Sequence, residues 1–96
     1  QQIIHNYTYE SKYILDEVAI PITHESDLDE AERILLGAAH QVTADIIQAT
    51  GQEPFVRAEF TDHGIKVILR YYTLATDRQR ISSEIVRIVF KKFKTS

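Results

Sequence analysis

Residues 21–36 read PITHESDLDEAERILL, and the fold follows from the way this stretch changes period. Just before it and into it, Val18, Ile20 and Ile22 alternate with other residues, the period of a half-buried strand. Thr23, His24, Glu25 and Ser26 then make a polar corner. From Leu28 onward the apolar residues Leu28, Ala31, Ile34, Leu35, Ala38 and Val42 fall at steps of three and four, which places them on one face of a helix. Ser26 or Asp27 is suited to accept the free N–H groups of the first turn. Glu30, three residues after Asp27, completes a capping-box pattern. Asp27, Asp29, Glu30 and Glu32 stand where the positive end of the helix dipole favours acid.

The same periodicities extend in both directions. Upstream, the strand begins near Tyr13 or only at Glu17, because Asp16 and Glu17 interrupt its apolar pattern. Pro21 has no N–H to give a neighbour, which suits a sheet edge or a strand end. Residues 1–11 read as a linker or strand tail, and residues 12–96 as one domain. Downstream, a single helix is predicted over 28–49, closed by Gly51 in a left-handed cap and kept from resuming by Pro54. Phe55 to Thr61 alternates, with Val56, Ala58 and Phe60 on one side. Asp62-His63-Gly64 is a turn, and Ile65 to Leu74 is a second strand of the hairpin. That strand is apolar on both faces, which predicts a central position with partial cover behind it. Thr76 and Gln79 form a second capping-box pattern ahead of a helix running through Ile81, Ile85, Ile88, Val89 and Phe93 and ending in Lys91, Lys92 and Lys94. The predicted fold is α+β: a ferredoxin-like β-α-β-β-α split βαβ sandwich, two helices on one face of an antiparallel sheet, stopping short of a last strand.

The chain has 96 residues, enough for one core, with a net charge of −3 and no cysteine. Disulfides, thiolate metal sites and cysteine nucleophiles are excluded. No apolar run approaches the roughly 20 residues that span a bilayer. The chain opens on Gln rather than Met, so the expectation is a piece of a longer protein, with any membrane or targeting segment outside it. Charge is divided along the sequence. Residues 1–50 carry nine acids against two bases, and residues 51–96 carry nine bases against five acids. Solvated helix faces with dipole-matched ends account for most of this; subunit association or an ionic surface is the functional alternative.

Patterns that carry chemistry are few. His5, His24, His40 and His63 lie on four different segments with no ligand spacing between them, and the expectation is no metal site. The acids Glu25, Asp27, Asp29 and Glu30 lack the glycine and spacing of a calcium loop and read as helix capping. Gly37, Gly51 and Gly64 are too far apart for a phosphate-binding loop, and Ser82-Ser83 has no base beside it. The expectation is no enzyme, no catalytic residue and no cofactor. RNA binding on this fold needs a strand of stacking aromatics with glycine, whereas IKVILRYY has no glycine. Tyr71 and Tyr72, being adjacent, point to opposite faces. Neither nucleic acid nor a small-molecule substrate is expected as a partner.

With the element order in hand, AIPITHESDLDEAERIL (residues 19–35) resembles the strand, acidic corner and helix that open the C-terminal cytoplasmic domain of MscS-type mechanosensitive channels. EPFVRAEFTDHGIKVILRYYT (residues 53–73) is similar to that family's Pro-led hairpin, with its Arg-aromatic pair at Arg70-Tyr71. Asn6-Tyr7-Thr8 resembles the exit from the preceding Sm-like β-domain. The family's Gly-apolar-apolar-Pro segment, which leads into its last strand, does not occur before Ser96. The resemblance implies a homo-oligomeric parent in the cell inner membrane, typically a heptamer, that opens under bilayer tension and releases solutes on hypo-osmotic shock. This domain would then be a wall of the cytoplasmic vestibule, whose charged faces bias the passing ions. Cut from the pore, it is expected to be monomeric. A free-standing ferredoxin-like ligand-binding or regulatory domain is the competing expectation.

Overall fold

The computed structural model describes residues 12–95 of the chain, so the expectation for residues 1–11 lies outside it. The elements are β1 (Tyr13–Ile22), α1 (Leu28–Val42), α2 (Ala44–Thr50), β2 (Phe55–Thr61), β3 (Gly64–Leu74), a 3-10 turn (Ala75–Asp77) and α3 (Arg78–Thr95). The three strands form one antiparallel sheet in the order β1-β3-β2. The predicted α+β, split βαβ arrangement is therefore present, with β3 central and β1 and β2 parallel to each other on either side.

Register assigns the faces. Tyr71, Leu69 and Val67 of β3 share a side with Val18 and Ile20 of β1 and with Val56 of β2. All of these belong to or pack against the core formed with Leu35, Ala38, Ala39, Ile81, Ile85 and Val89, so the helices lie on that one face. Burying each large aliphatic side chain there contributes about 1.5–3 kcal/mol. On the opposite face of β3, Ile68 is also buried, flanked by its register partners Ala19 and Arg57. Among the described residues no element lies behind it, so the cover predicted for that face comes from neighbouring side chains. Two ion pairs cross the same face, Arg70 Nε to Glu17 Oε1 at 3.1 Å and Lys66 Nζ to Glu59 Oε1 at 3.9 Å.

Three local expectations are corrected. The helix predicted over 28–49 is two helices broken at Thr43. There the Thr43 backbone N–H and its Oγ1 both donate to the Ala39 carbonyl, at 2.9 and 2.8 Å. A threonine bonded back in this way bends a helix. The new direction sends Ile46 into the core. Thr76 lies inside the 3-10 turn, so the last helix starts at Arg78 and the box headed by Thr76 does not cap it. Phe93, expected in the core, is exposed.

Two glycines have steric reasons. Gly51 ends α2 with φ of 72°, the left-handed cap expected from sequence. A Cβ at Gly64 would strike the carbonyl oxygen of Ile22. The hairpin therefore begins β3 where the end of β1 passes close by.

Candidate functional site: the acidic corner and the basic helix end

The acidic corner forms as a cap. Asp27, extended at φ −79° and ψ 103°, accepts a hydrogen bond from the Glu30 N–H at 3.1 Å. The Thr23 and Ser26 hydroxyls lie 3.1 Å apart, and the Ser26 N–H donates to the Thr23 carbonyl, so the turn closes on itself and leaves the cap to Asp27. The reciprocal half of the predicted box is replaced by a different contact. The Glu30 carboxylate accepts from Arg33, with Nε at 3.2 Å, rather than from the corner backbone.

α3 runs antiparallel to α1. Its Phe93 lies by Asp27, Glu30 and Ala31, and Ile88 and Lys92 lie by Ile34 and Ala38. The acidic first turn of α1 and the basic last turn of α3 therefore occupy the same end of the domain. A separation of charge along the sequence becomes a juxtaposition in space, as two antiparallel dipole-matched helices require. Beside this end, Ile20, Ile22, Ala31 and Phe93 border an open groove of about 470 Å³ along the outer side of β1. Lys94 Nζ stands 5.4 Å from the Phe90 ring centroid on the adjoining face of α3.

At the opposite end of β1 a polar cluster enters the core face. Asp16 shares the side of Val18 and Ile20, which period-two alternation demands. Its carboxylate accepts from the Tyr71 hydroxyl at 3.4 Å and from Arg78 Nε at 3.2 Å. Tyr71 is completely buried. Burial first, then the charge and hydrogen bond of Asp16, raise its phenol well above the ordinary tyrosine range, against smaller opposing effects of Arg78 and Ser82. The cluster ties β1, β3 and α3 together. The signal for it was an acid in phase with the apolar residues of its strand, a position that calls for a partner.

The histidines remain apart where the structure describes them. The His24 ring lies near Phe60, tilted by 51° with centroids 6.4 Å apart. His40, exposed on α1, places Nδ1 2.9 Å from the Leu36 carbonyl and Nε2 3.6 Å from Glu53. The His63 N–H donates to Thr61 Oγ1 in the hairpin turn. His5 lies outside the described residues. Among those residues, no group of three His, Asp or Glu side chains is placed to hold a metal ion, and no helix is long and apolar enough to cross a membrane.

Comparison with known proteins gives a match over most of the chain. Residues 16–96 fit the family described as mechanosensitive ion channel MscS, C-terminal. A search of curated proteins returns no match.

Proposed function

The chain belongs to the family of C-terminal domains of MscS mechanosensitive channels, and from that premise we propose that it is a wall segment of the channel's cytoplasmic vestibule. That family is one of ion channels rather than enzymes. The observation that carries the proposal is the family match from Asp16 to the end of the chain, laid on a compact sheet-and-helix unit. In this reading the parent is a homo-oligomer of the inner membrane, a heptamer by resemblance, which opens under bilayer tension and releases solutes on hypo-osmotic shock. The domain neither senses tension nor catalyses a reaction. Its part is to shape and charge the path by which ions reach the pore.

The decisive experiment is a patch-clamp recording of the full-length parent in membranes lacking other tension-gated channels. Currents that appear only with suction are expected. Silence under suction, in a protein that fractionates away from membranes, overturns the proposal. A second recording addresses the corner. Joint replacement of Asp27, Asp29 and Glu30 by their amides shifts cation-to-anion preference if these acids border the ion path. If preference stays unchanged while the domain melts earlier, their role is capping alone.

A further inference from the structure

Gly37 has no conformational or steric need to be glycine. It sits in the interior of α1 without a positive φ, and a Cβ added there would meet nothing. In an exposed helix interior glycine costs about 1 kcal/mol relative to alanine. α1 therefore carries a weakness that no contact among the described residues explains. The missing side chain does have one effect: it opens a groove between α1 and α3. That groove is lined by the two helices alone, and no strand contributes to it.

Arg33, Gly37 and Gln41 form one row along α1 at steps of four, and Ile88 and Lys92 form the facing row on α3. Ile34 also lines the groove, whose volume is about 200 Å³. Because the helices are antiparallel, Arg33 and Lys92 stand toward one end and the Gln41 amide toward the other. Glu30 accepts from Arg33 Nε and Nη2. These contacts use two of the five N–H groups of the guanidinium and hold the fork in place. Glu84, one turn before Ile88 on α3, is paired with Arg80 instead. Among the described residues, no acid lines the groove itself.

We propose that the α1–α3 groove binds the phosphate group of a small molecule, held between the Arg33 fork and the Lys92 ammonium over the bare backbone of Gly37. Two positive charges brought from different helices match a dianion, and a phosphate monoester carries nearly two negative charges at neutral pH. The planar fork of arginine suits two phosphate oxygens, and lysine adds a point charge. Glycine lets the ligand approach the helix backbone closely. The volume limits the size of the ligand. At about 30 Å³ per water it is the room of roughly six or seven waters, enough for a phosphate and a few further atoms. The Gln41 amide offers both a donor and an acceptor to the part that carries the phosphate. The site is built within one copy of the domain, so its occupancy does not depend on whether the parent passes current.

The test is a titration of the 96-residue chain with sodium phosphate at neutral pH, followed by amide chemical shifts. Sodium chloride is withdrawn in step, to hold the ionic strength constant. Saturable displacements centred on Gly37, Gln41 and Ile88 are expected, with a midpoint on the order of 1 mM. Arg33→Gln removes the fork and loses only a solvent-facing ion pair. It is expected to weaken binding roughly tenfold or more, the scale of a lost charged hydrogen bond. Gly37→Leu fills the groove from a position with open space above it, and is expected to abolish binding without lowering the melting temperature. A phosphate on a lipid offers the same chemistry, so phosphatidylcholine vesicles containing phosphatidic acid form the second arm. Binding to those vesicles through Arg33 and Gly37, with no response to free phosphate, overturns the small-molecule assignment. Shifts that rise linearly and spread over Arg87, Lys91 and Lys94 report a basic surface only and overturn the proposal. Saturable binding that neither substitution weakens overturns it as well.

Discussion

Asp16 and Tyr71 face each other as register partners across β1 and β3, their side chains joined by a hydrogen bond of 3.4 Å on the buried face of the sheet. The same carboxylate receives Arg78 from the first turn of α3. Replacing Asp16 by alanine leaves the buried hydroxyl without its acceptor, and a loss of about 1–3 kcal/mol is expected. Arg78 is largely exposed and stays solvated when its partner is removed, so Arg78→Ala should cost less, under about 1 kcal/mol. Urea titration of both single variants and the double variant measures the coupling. Equal losses from the two single changes would contradict this assignment of roles.

Tyr71 sets a limit at high pH. Its phenol is held above the ordinary range in the folded protein, so the unfolded chain releases that proton first as pH rises. The stability it contributes is complete below the unfolded value of roughly 10 and is lost as pH rises from there toward the folded value. Melting temperature followed from pH 8 to 11.5 should fall more steeply for the native chain than for Tyr71→Phe. The variant should be less stable at pH 7 by about 1 kcal/mol, the value of the lost hydrogen bond. Parallel pH profiles for the two proteins would refute the account.

Gly64→Ala tests the close approach between the hairpin and the end of β1. The added methyl meets the Ile22 carbonyl oxygen, a backbone atom that moves only if β1 moves. A loss of about 1–3 kcal/mol is expected. Gly37→Ala is the control, since a Cβ there meets nothing and helix propensity favours alanine. It should leave the melting temperature unchanged or raise it.

The cap assignment separates two acids that look alike in sequence. Asp27→Ala removes the acceptor for the Glu30 N–H and should cost about 1 kcal/mol. Glu30→Gln loses only a solvent-facing pair with Arg33 and should leave the thermal transition where it is. If the Gln variant proved the more damaging, Glu30 would have to be contacting the corner backbone in solution.

What sequence could reveal was set by the range of the interactions. The change of period at residues 21–36, the glycine cap at 51 and the hairpin turn are determined by neighbours a few positions away, and all three are found where the pattern puts them. The opposite orientations of Tyr71 and Tyr72 followed from strand geometry alone, and register places them on opposite faces. The break at Thr43 left no mark in the periodicity, because threonine is tolerated in helices and its hydroxyl acts only once the Ala39 carbonyl is in reach. Asp16 seemed to interrupt its strand because the arginine that completes its site stands sixty-two positions later. The groove under Phe93 was illegible for a related reason. Phe93 keeps the spacing of a core residue, yet it stands exposed at the rim of a groove shared with the end of β1 and the first turn of α1, a placement that only the assembled fold determines.

The antiparallel pairing of α1 and α3 also determines how far the domain's charge is felt. Lying head to tail, the acidic and basic turns screen one another at close range, and at physiological salt their separate fields fade over about 8 Å. In the role proposed above, a permeating ion farther away would respond to the small net charge alone, so any preference the domain imposed would be exerted at grazing distance.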